Sequence, residues 1–257
     1  MTAHVHKVAL VTGAARRIGR VIALAMARRG WDIAVHYGQS ADEALSTVSE
    51  IEALGRRAVA VQCDLSDEAQ VKALLPRAAD ALKAGRISCV VNNASLFDRD
   101  DAADFSVACL DRHMHANLAA PILLTRALYD ATPDGSQAVA VNLLDQKLFN
   151  LNPDFLSYTL SKAALQTATT MLAQALAPKV RVVGVAPGIT MVSGDQTEEG
   201  FAKAHAITPL GRSSTPEDVA SAVCFVAESP AITGTTLLVD GGQHLIPLQR
   251  DVMFVAK

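Results

Sequence analysis

The chain has 257 residues, half of them apolar, and a formal net charge of −3. That length supports one large core and suits a single domain over 1–257, while the charge gives no footing for a nucleic-acid partner and no apolar run is long enough to span a membrane. The first seven residues lack a signal-peptide core, and Cys63, Cys89, Cys109 and Cys224 form no C-x-x-C pair, so a cytoplasmic setting with reduced core thiols and no metal site is expected.

Lys7-Val8-Ala9-Leu10-Val11 is a short apolar run of the kind found in a buried parallel strand. It leads into Thr12-Gly13-Ala14-Ala15-Arg16-Arg17-Ile18-Gly19 and then a helical run to Arg29. A strand, a glycine-bearing turn and a helix start make an anion site, because backbone N–H groups can approach a pyrophosphate and the helix dipole favours its charge. Further strands are predicted near 32–37, 57–62, 88–92, 137–142, 180–185 and 236–240, with helices near 17–29, 40–54, 67–83, 104–130, 156–177 and 216–227. This alternation predicts an α/β fold with a doubly wound parallel sheet whose ligands bind at the carboxyl ends of the strands. Residues 189–215 break the pattern and are long enough for a substrate lid. Thr215 then caps the last helix, with Pro216 in its first turn.

His113 and His115 are two apart on a predicted helix, do not share a face and lack a third ligand, so a metal is not expected. Asp98, Asp100, Asp101 and Asp104 read as a solvated acidic loop. Tyr158 and Lys162 lie one helical turn apart, and an ammonium near a phenol lowers the phenol's pKa toward the working range, which suits proton delivery. Asp145 lies thirteen residues before the tyrosine. Its carboxylate accepts hydrogen bonds only, so it repels a ketone oxygen, suits a substrate bearing N–H donors, and works against Lys162 by keeping the phenol protonated.

The Gly13-to-Gly19 turn, Asn92-Asn93-Ala94, Asn117, Tyr158-x3-Lys162 and Pro187-Gly188 recur in the order of the short-chain dehydrogenase/reductase family, which the chain resembles from about Val5 to Gln243. The resemblance implies a Rossmann-like domain of about seven strands and a nicotinamide cofactor. Gly13, Arg17, Ile18 and Gly19 then surround the phosphates, Asp64 and Leu65 the adenine, and Asn92 and Ala94 the adenosine and nicotinamide-ribose side. Pro187, Gly188 and Ile189 wrap the nicotinamide amide, and Asn117 holds a water in a relay through Lys162. Asp64 reads equally as a helix cap.

Two departures narrow the expectation. Arg17 replaces the family's middle glycine, and the second strand ends in His36-Tyr37-Gly38-Gln39-Ser40, without the acid that binds the ribose hydroxyls in NAD-preferring members. NADPH is therefore expected, with Arg17, His36 and Ser40 around the 2′-phosphate; the alternative has Arg17 and His36 as solvated surface groups. Asp145 stands where most members carry a serine. Together with Asn93-Ala94-Ser95-x-Phe97, these features resemble the pteridine reductase branch, whose bacterial members include dihydromonapterin and dihydrofolate reductases. The resemblance implies a pterin between the nicotinamide and Phe97, with Arg17, Ser95, Asp145 and Tyr158 as its contacts, and a homotetramer built partly on the apolar stripe Leu165, Ala168, Met171, Leu172, Ala175 and Leu176. A carbonyl or 3-ketoacyl thioester reductase is the alternative activity. A non-catalytic NADPH-binding regulator is the alternative of another class, and the presence of Asn117, Tyr158 and Lys162 together argues against it.

Overall fold

A computed structural model describes residues 7–192 and 197–255. Seven strands form one parallel sheet in the order β3-β2-β1-β4-β5-β6-β7. They are β1 (Val8–Val11), β2 (Asp32–Tyr37), β3 (Ala58–Gln62), β4 (Cys89–Asn92), β5 (Ala138–Leu143), β6 (Val180–Pro187) and β7 (Thr236–Val239). The helices are α1 (Arg17–Arg28), α2 (Ala41–Ala53), α3 (Glu68–Ala81), α4 (Val107–Met114), α5 (Ala120–Ala131), α6 (Leu156–Leu176), α7 (Glu198–Ala206), α8 (Pro216–Glu228) and a last turn α9 (Val252–Val255).

Successive strand residues point to opposite faces, and both faces are buried, which is why these segments are nearly pure Val, Ala, Ile and Leu. Val11, Ile33, Val35, Val91, Val141 and Val183 face one layer with Ile22 and Met26 of α1 and Val219 and Val223 of α8. Leu10, Ala34, Val90, Ala140 and Val182 face the other, with Leu74 of α3 and Leu124 and Leu128 of α5. The strand order reverses between β1 and β4, paired through Val11 and Val91, and that crevice is where an open α/β sheet receives its ligand.

Local signals set the helix boundaries. Thr215 Oγ1 accepts from the Asp218 N–H at 3.2 Å, and Asp218 Oδ2 accepts from the Thr215 N–H at 3.0 Å, a reciprocal cap that fixes the start of α8. Asp67, not Asp64, caps α3 by accepting from the N–H groups of Ala69 and Gln70. The helix expected over 104–130 starts instead at Val107, capped by Ser106, and is interrupted by a π-helical turn over His115–Ala119 that carries Asn117. Residues 189–215 are not irregular throughout, since they contain α7; residues 193–196 of that segment lie outside the described residues. The apolar stripe of α6 divides: Leu165 is core, packed with Leu144, whereas Met171 is 62% exposed.

The acidic loop is also different from expectation. Asp98 pairs with Arg112 on the surface, but Asp100 is buried at 3% exposure and accepts from both the N–H and the hydroxyl of Ser157. A carboxylate at the first turn of α6 satisfies donors that the helix itself leaves unpaired, so Asp100 fixes the start of the helix that carries Tyr158.

Candidate active site

The glycine turn is built by contacts to the neighbouring strands. Thr12 Oγ1 accepts from the N–H groups of Asn93 and Ala94 at 2.9 and 3.0 Å, and Asn93 Nδ2 donates to the Thr12 carbonyl at 2.9 Å. Gly13 has φ +63° and its N–H donates to His36 Nδ1 at 3.0 Å. Arg17 has φ +54°, a left-handed conformation that costs a side-chain-bearing residue roughly 1–2 kcal/mol and explains why glycine is the usual occupant. Its guanidinium donates to the Val192 carbonyl at 3.0 Å.

His36 is not a solvated surface group: it borders the smaller cavity described below, but both of its ring nitrogens are engaged within the protein. It is 2% exposed, Nδ1 accepts from Gly13, and Nε2 therefore carries the proton and donates to the Cys63 carbonyl at 3.1 Å. Burial lowers its pKa to about 4, so it is a neutral strut between the ends of β2 and β3 and the turn. Ser40 precedes α2 without a side-chain cap bond and lies outside the walls of both cavities described next. Asn92 is likewise internal, donating to Asn142 Oδ1 at 2.8 Å; its neighbour Asn93 faces the crevice instead.

Two adjoining cavities share Ser95. One, of about 340 Å³, is bounded by Gly13, His36, Gly38, Gln39, Asp64, Leu65 and Ala94. The other, of about 550 Å³, has Arg17, Ile18, Pro187, Gly188 and Ile189 on one side and Phe97, Asp145, Tyr158 and Lys162 on the other.

In the larger cavity the Tyr158 hydroxyl donates to Asp145 Oδ2 at 2.7 Å, and Asp145 Oδ1 accepts from the Lys147 N–H at 2.8 Å. Lys162 Nζ donates to the Leu143 carbonyl at 2.7 Å and stands 5.8 Å from the Tyr158 ring centroid. Burial, followed by the Asp145 charge and hydrogen bond, holds the Tyr158 pKa well above its usual value. The expectation of a lowered phenol pKa is therefore reversed, because desolvation and a bonded carboxylate outweigh an ammonium turned toward a carbonyl. Burial also raises the Asp145 pKa and lowers that of Lys162 to about 8. The phenol is thus held protonated beside an acid whose own pKa burial raises, with a lysine whose pKa is lowered to about 8.

Asn117 is buried, but its side chain is occupied: Oδ1 accepts from the Leu96 N–H at 2.8 Å, and Nδ2 donates to the Leu96 carbonyl at 2.9 Å and Ser161 Oγ at 3.0 Å. The side chain thus fastens the Ser95–Phe97 loop to α6 and does not face the cavity. Phe97 stacks on Phe155 with centroids 4.3 Å apart and meets Tyr158 edge-on at 4.6 Å, which places an aromatic surface beside the phenol.

Residues 13–244 match the family described as enoyl-(acyl carrier protein) reductase. A 3-oxoacyl-[acyl-carrier-protein] reductase from Synechocystis sp. is 35% identical, covering 94% of this chain and 98% of the relative. The chain belongs to the short-chain dehydrogenase/reductase family. An L-rhamnose 1-dehydrogenase (NAD(P)+) from Sphingomonas sp. is 32% identical over 93% of this chain and 96% of that protein, so members of similar identity differ in substrate. Among solved structures, the FolM alternative dihydrofolate reductase 1 from Brucella canis, complexed with NADP, is 40% identical with a TM-score of 0.90, covering 95% of this chain and 96% of the other. Its counterpart from Brucella suis, also with NADP, is 39% identical with a TM-score of 0.86, covering 93% and 96%.

This member of the short-chain dehydrogenase/reductase family has further cavity residues that no local pattern announces. Lys147 is 3% exposed, and its Nζ donates to the Asp154 carbonyl at 2.5 Å and to Asp251 Oδ2 at 3.2 Å. Asp251 and Val252 also wall the larger cavity. Asp251 lies 104 residues from Lys147, and only the fold brings them together. Asn93 lies in the Asn92-Asn93-Ala94 stretch, where alternation along the chain turns Asn92 inward and Asn93 to the cavity.

Gly19 is required for close approach: a Cβ there would lie 2.2 Å from the Gly13 carbonyl oxygen and 2.5 Å from Asn93 Nδ2. Gly19→Ala must therefore move the turn itself, at a cost of roughly 1–3 kcal/mol. Thermal unfolding and cofactor titration should show a lowered Tm and dinucleotide binding weakened about tenfold or more, since displaced N–H groups no longer converge on a phosphate. Unchanged cofactor affinity would assign the turn a structural role only.

Proposed function

We propose that the protein is an NADPH-dependent pteridine reductase that reduces a C=N bond of a dihydropterin or dihydrofolate-like ring. The observation that carries the reading is the Asp145–Tyr158 hydrogen bond in a cavity beside Phe97. A carboxylate at this position accepts from ring N–H groups and orients the phenol, and it would oppose a ketone oxygen. The NADP-bound FolM structures support the same choice.

The cofactor fits the residues present. The glycine turn leaves room for a pyrophosphate, and the rim after β2 carries Gly38 and Gln39 rather than an acid, so nothing there repels a 2′-phosphate. With His36 internal, Arg17 and Arg16, both exposed beside the larger cavity, are the cations for the phosphates. Bound NADPH supplies the hydride. Tyr158 delivers the proton to the ring nitrogen, directly or through water; Asp145 orients it and accepts from substrate N–H groups. Lys162 holds the nicotinamide ribose, Pro187 to Ile189 surround the amide, and Phe97 caps the substrate ring. The described parts of the expected lid, residues 189–192 and 197–215, serve to cover the substrate, and the protein works in the cytoplasm as a homotetramer in which Met171 meets a partner subunit.

The Synechocystis relative favours a second reading, reduction of a 3-ketoacyl thioester by the same Tyr158 and Lys162. NADPH consumption with dihydrobiopterin or dihydromonapterin, beside NADH and an acetoacetyl thioester, separates the two. Pterin-dependent oxidation of NADPH is the expected result. Turnover of the thioester alone would move the chain to ketoacyl chemistry and leave Asp145 without a role.

A further inference from the structure

The start of α6, the helix that carries Tyr158, is fixed from outside the helix. Asp100 holds its first turn, but Phe155 at the N-cap has φ +57° and makes no side-chain cap bond. A residue with a side chain keeps that left-handed conformation only where its surroundings hold it. The C-terminal segment supplies those surroundings. Asp154, 3% exposed, accepts from Arg250 Nε at 2.9 Å, from Arg250 Nη2 at 2.7 Å and from the Asp251 N–H at 2.7 Å. A guanidinium fork fixes direction as well as distance, so the residue before Phe155 is clamped to one 96 positions along the chain.

The same segment reaches two other pieces of the site. Phe254 of α9 stacks on Phe155 at 6.1 Å and Phe155 stacks in turn on Phe97 at 4.3 Å, so a row of rings ends edge-on to the phenol of Tyr158. The guanidiniums of Arg99, two residues after Phe97, and of Arg250 each stand 5.0 Å from the Phe254 ring centroid. Toward the second piece, Lys147 Nζ donates to the Asp154 carbonyl at 2.5 Å and to Asp251 Oδ2 at 3.2 Å, while the Lys147 N–H donates to Asp145 Oδ1 at 2.8 Å. Asn150 Nδ2 adds a bond to the Ile246 carbonyl at 2.5 Å. Residues 246–254 thus touch the Phe97 loop, the Asp145 turn and the start of α6, three segments that share no strand or helix.

We propose that Arg250 and Phe254 are positioning residues of the active site: acting through Asp154 and Phe155, they brace the Phe97 loop and the Asp145 turn against α6 and so set the Tyr158–Asp145 hydrogen bond. Neither touches substrate or cofactor in this role. The assignment rests on Tyr158 as the proton donor of the proposed reaction and not on the choice of substrate. A displacement of about 1 Å at a reacting group costs up to roughly 10²-fold in rate, whereas none of these bonds leads to the dinucleotide turn between β1 and α1.

The test compares wild type with Arg250→Ala, Arg250→Lys and Phe254→Ala. NADPH affinity is titrated, kcat and KM are measured, and backbone amide exchange is followed by mass spectrometry. In Arg250→Ala and Phe254→Ala, kcat should fall about 10- to 100-fold with NADPH affinity within a few-fold of wild type. Amide exchange should quicken about tenfold or more over 95–99 in Phe254→Ala and over 145–149 in Arg250→Ala. Arg250→Lys keeps the charge but loses the fork, so it should recover part of the kcat, and it carries the test if Arg250→Ala does not fold. Unchanged kcat overturns the proposal. So do an exchange increase confined to 246–255 and parallel losses of NADPH affinity and kcat, which mark a merely structural role. Kinetics are read with dihydrobiopterin or, if wild type reduces only the acetoacetyl thioester, with that; the pterin reading then falls while the brace is still tested. If neither is reduced, amide exchange decides alone.

Discussion

Tyr158→Phe is expected to lower kcat roughly 10²- to 10⁴-fold while leaving NADPH affinity within a few-fold of wild type. The hydroxyl is the group that both donates to Asp145 and faces the cavity, and its raised pKa keeps it protonated throughout the usual assay range. Phenylalanine preserves the edge-on packing against Phe97, so the loss measures proton delivery rather than collapse of the pocket. The pH profile separates the tyrosine from the lysine. Lys162 is the cavity group whose pKa falls to about 8, because burial disfavours its charged form. Its proton leaves as pH rises through that value, so kcat/KM should decline above about pH 8, and Lys162→Arg should remove that limb. The same burial opposes the ammonium in the folded state at low pH and is relieved above the folded pKa, so this group's contribution to stability increases as pH rises from about 8 toward the unfolded value. A Tyr158→Phe enzyme with wild-type turnover would end the acid assignment.

The sheet and the principal helices were legible because their signals are local. Valine-rich runs separated by helix-length amphipathic segments specify alternating elements, and caps such as Thr215 mark where one begins. The pairing of Tyr158 with Lys162 followed from helical spacing, and the place of Asp145 beside them from the family resemblance. What was not legible depends on partners far along the chain. His36 is expected beside the 2′-phosphate from its place at the end of β2, but Gly13 and the Cys63 carbonyl engage both ring nitrogens. Asp100 looked solvated, yet its partner Ser157 lies 57 residues away. The π-turn at Asn117 has no sequence period of its own, and it serves contacts to Leu96 and Ser161. Charge was readable as charge, but whether a given charge met solvent, a helix end or a cavity was decided by the fold.

Asp145→Ser should change which substrate the site prefers. Serine restores a hydroxyl that can donate to a carbonyl oxygen, removes the acceptor for substrate N–H groups, and takes away the charge that orients Tyr158. Hydrogen bonds to a charged group contribute about 1.5–3 kcal/mol, so kcat/KM for a dihydropterin should fall by roughly 10- to 100-fold, while turnover of an acetoacetyl thioester rises from its wild-type level. The titration should move as well. Asp145 is the charge that raises the Lys162 pKa against burial, and without it the alkaline decline should begin below about 8. Asp145 also raises the Tyr158 pKa, so its removal brings the phenol back toward its ordinary value, without the bonded carboxylate that keeps it an acid. Both shifts have the same sign and reach the profile through different groups, which distinguishes a lost charge from a distorted pocket. An Asp145→Ser enzyme that retains pterin turnover and an unmoved alkaline limb would mean that the carboxylate neither holds the substrate nor tunes its neighbours, and the case for a pterin would lose its main support.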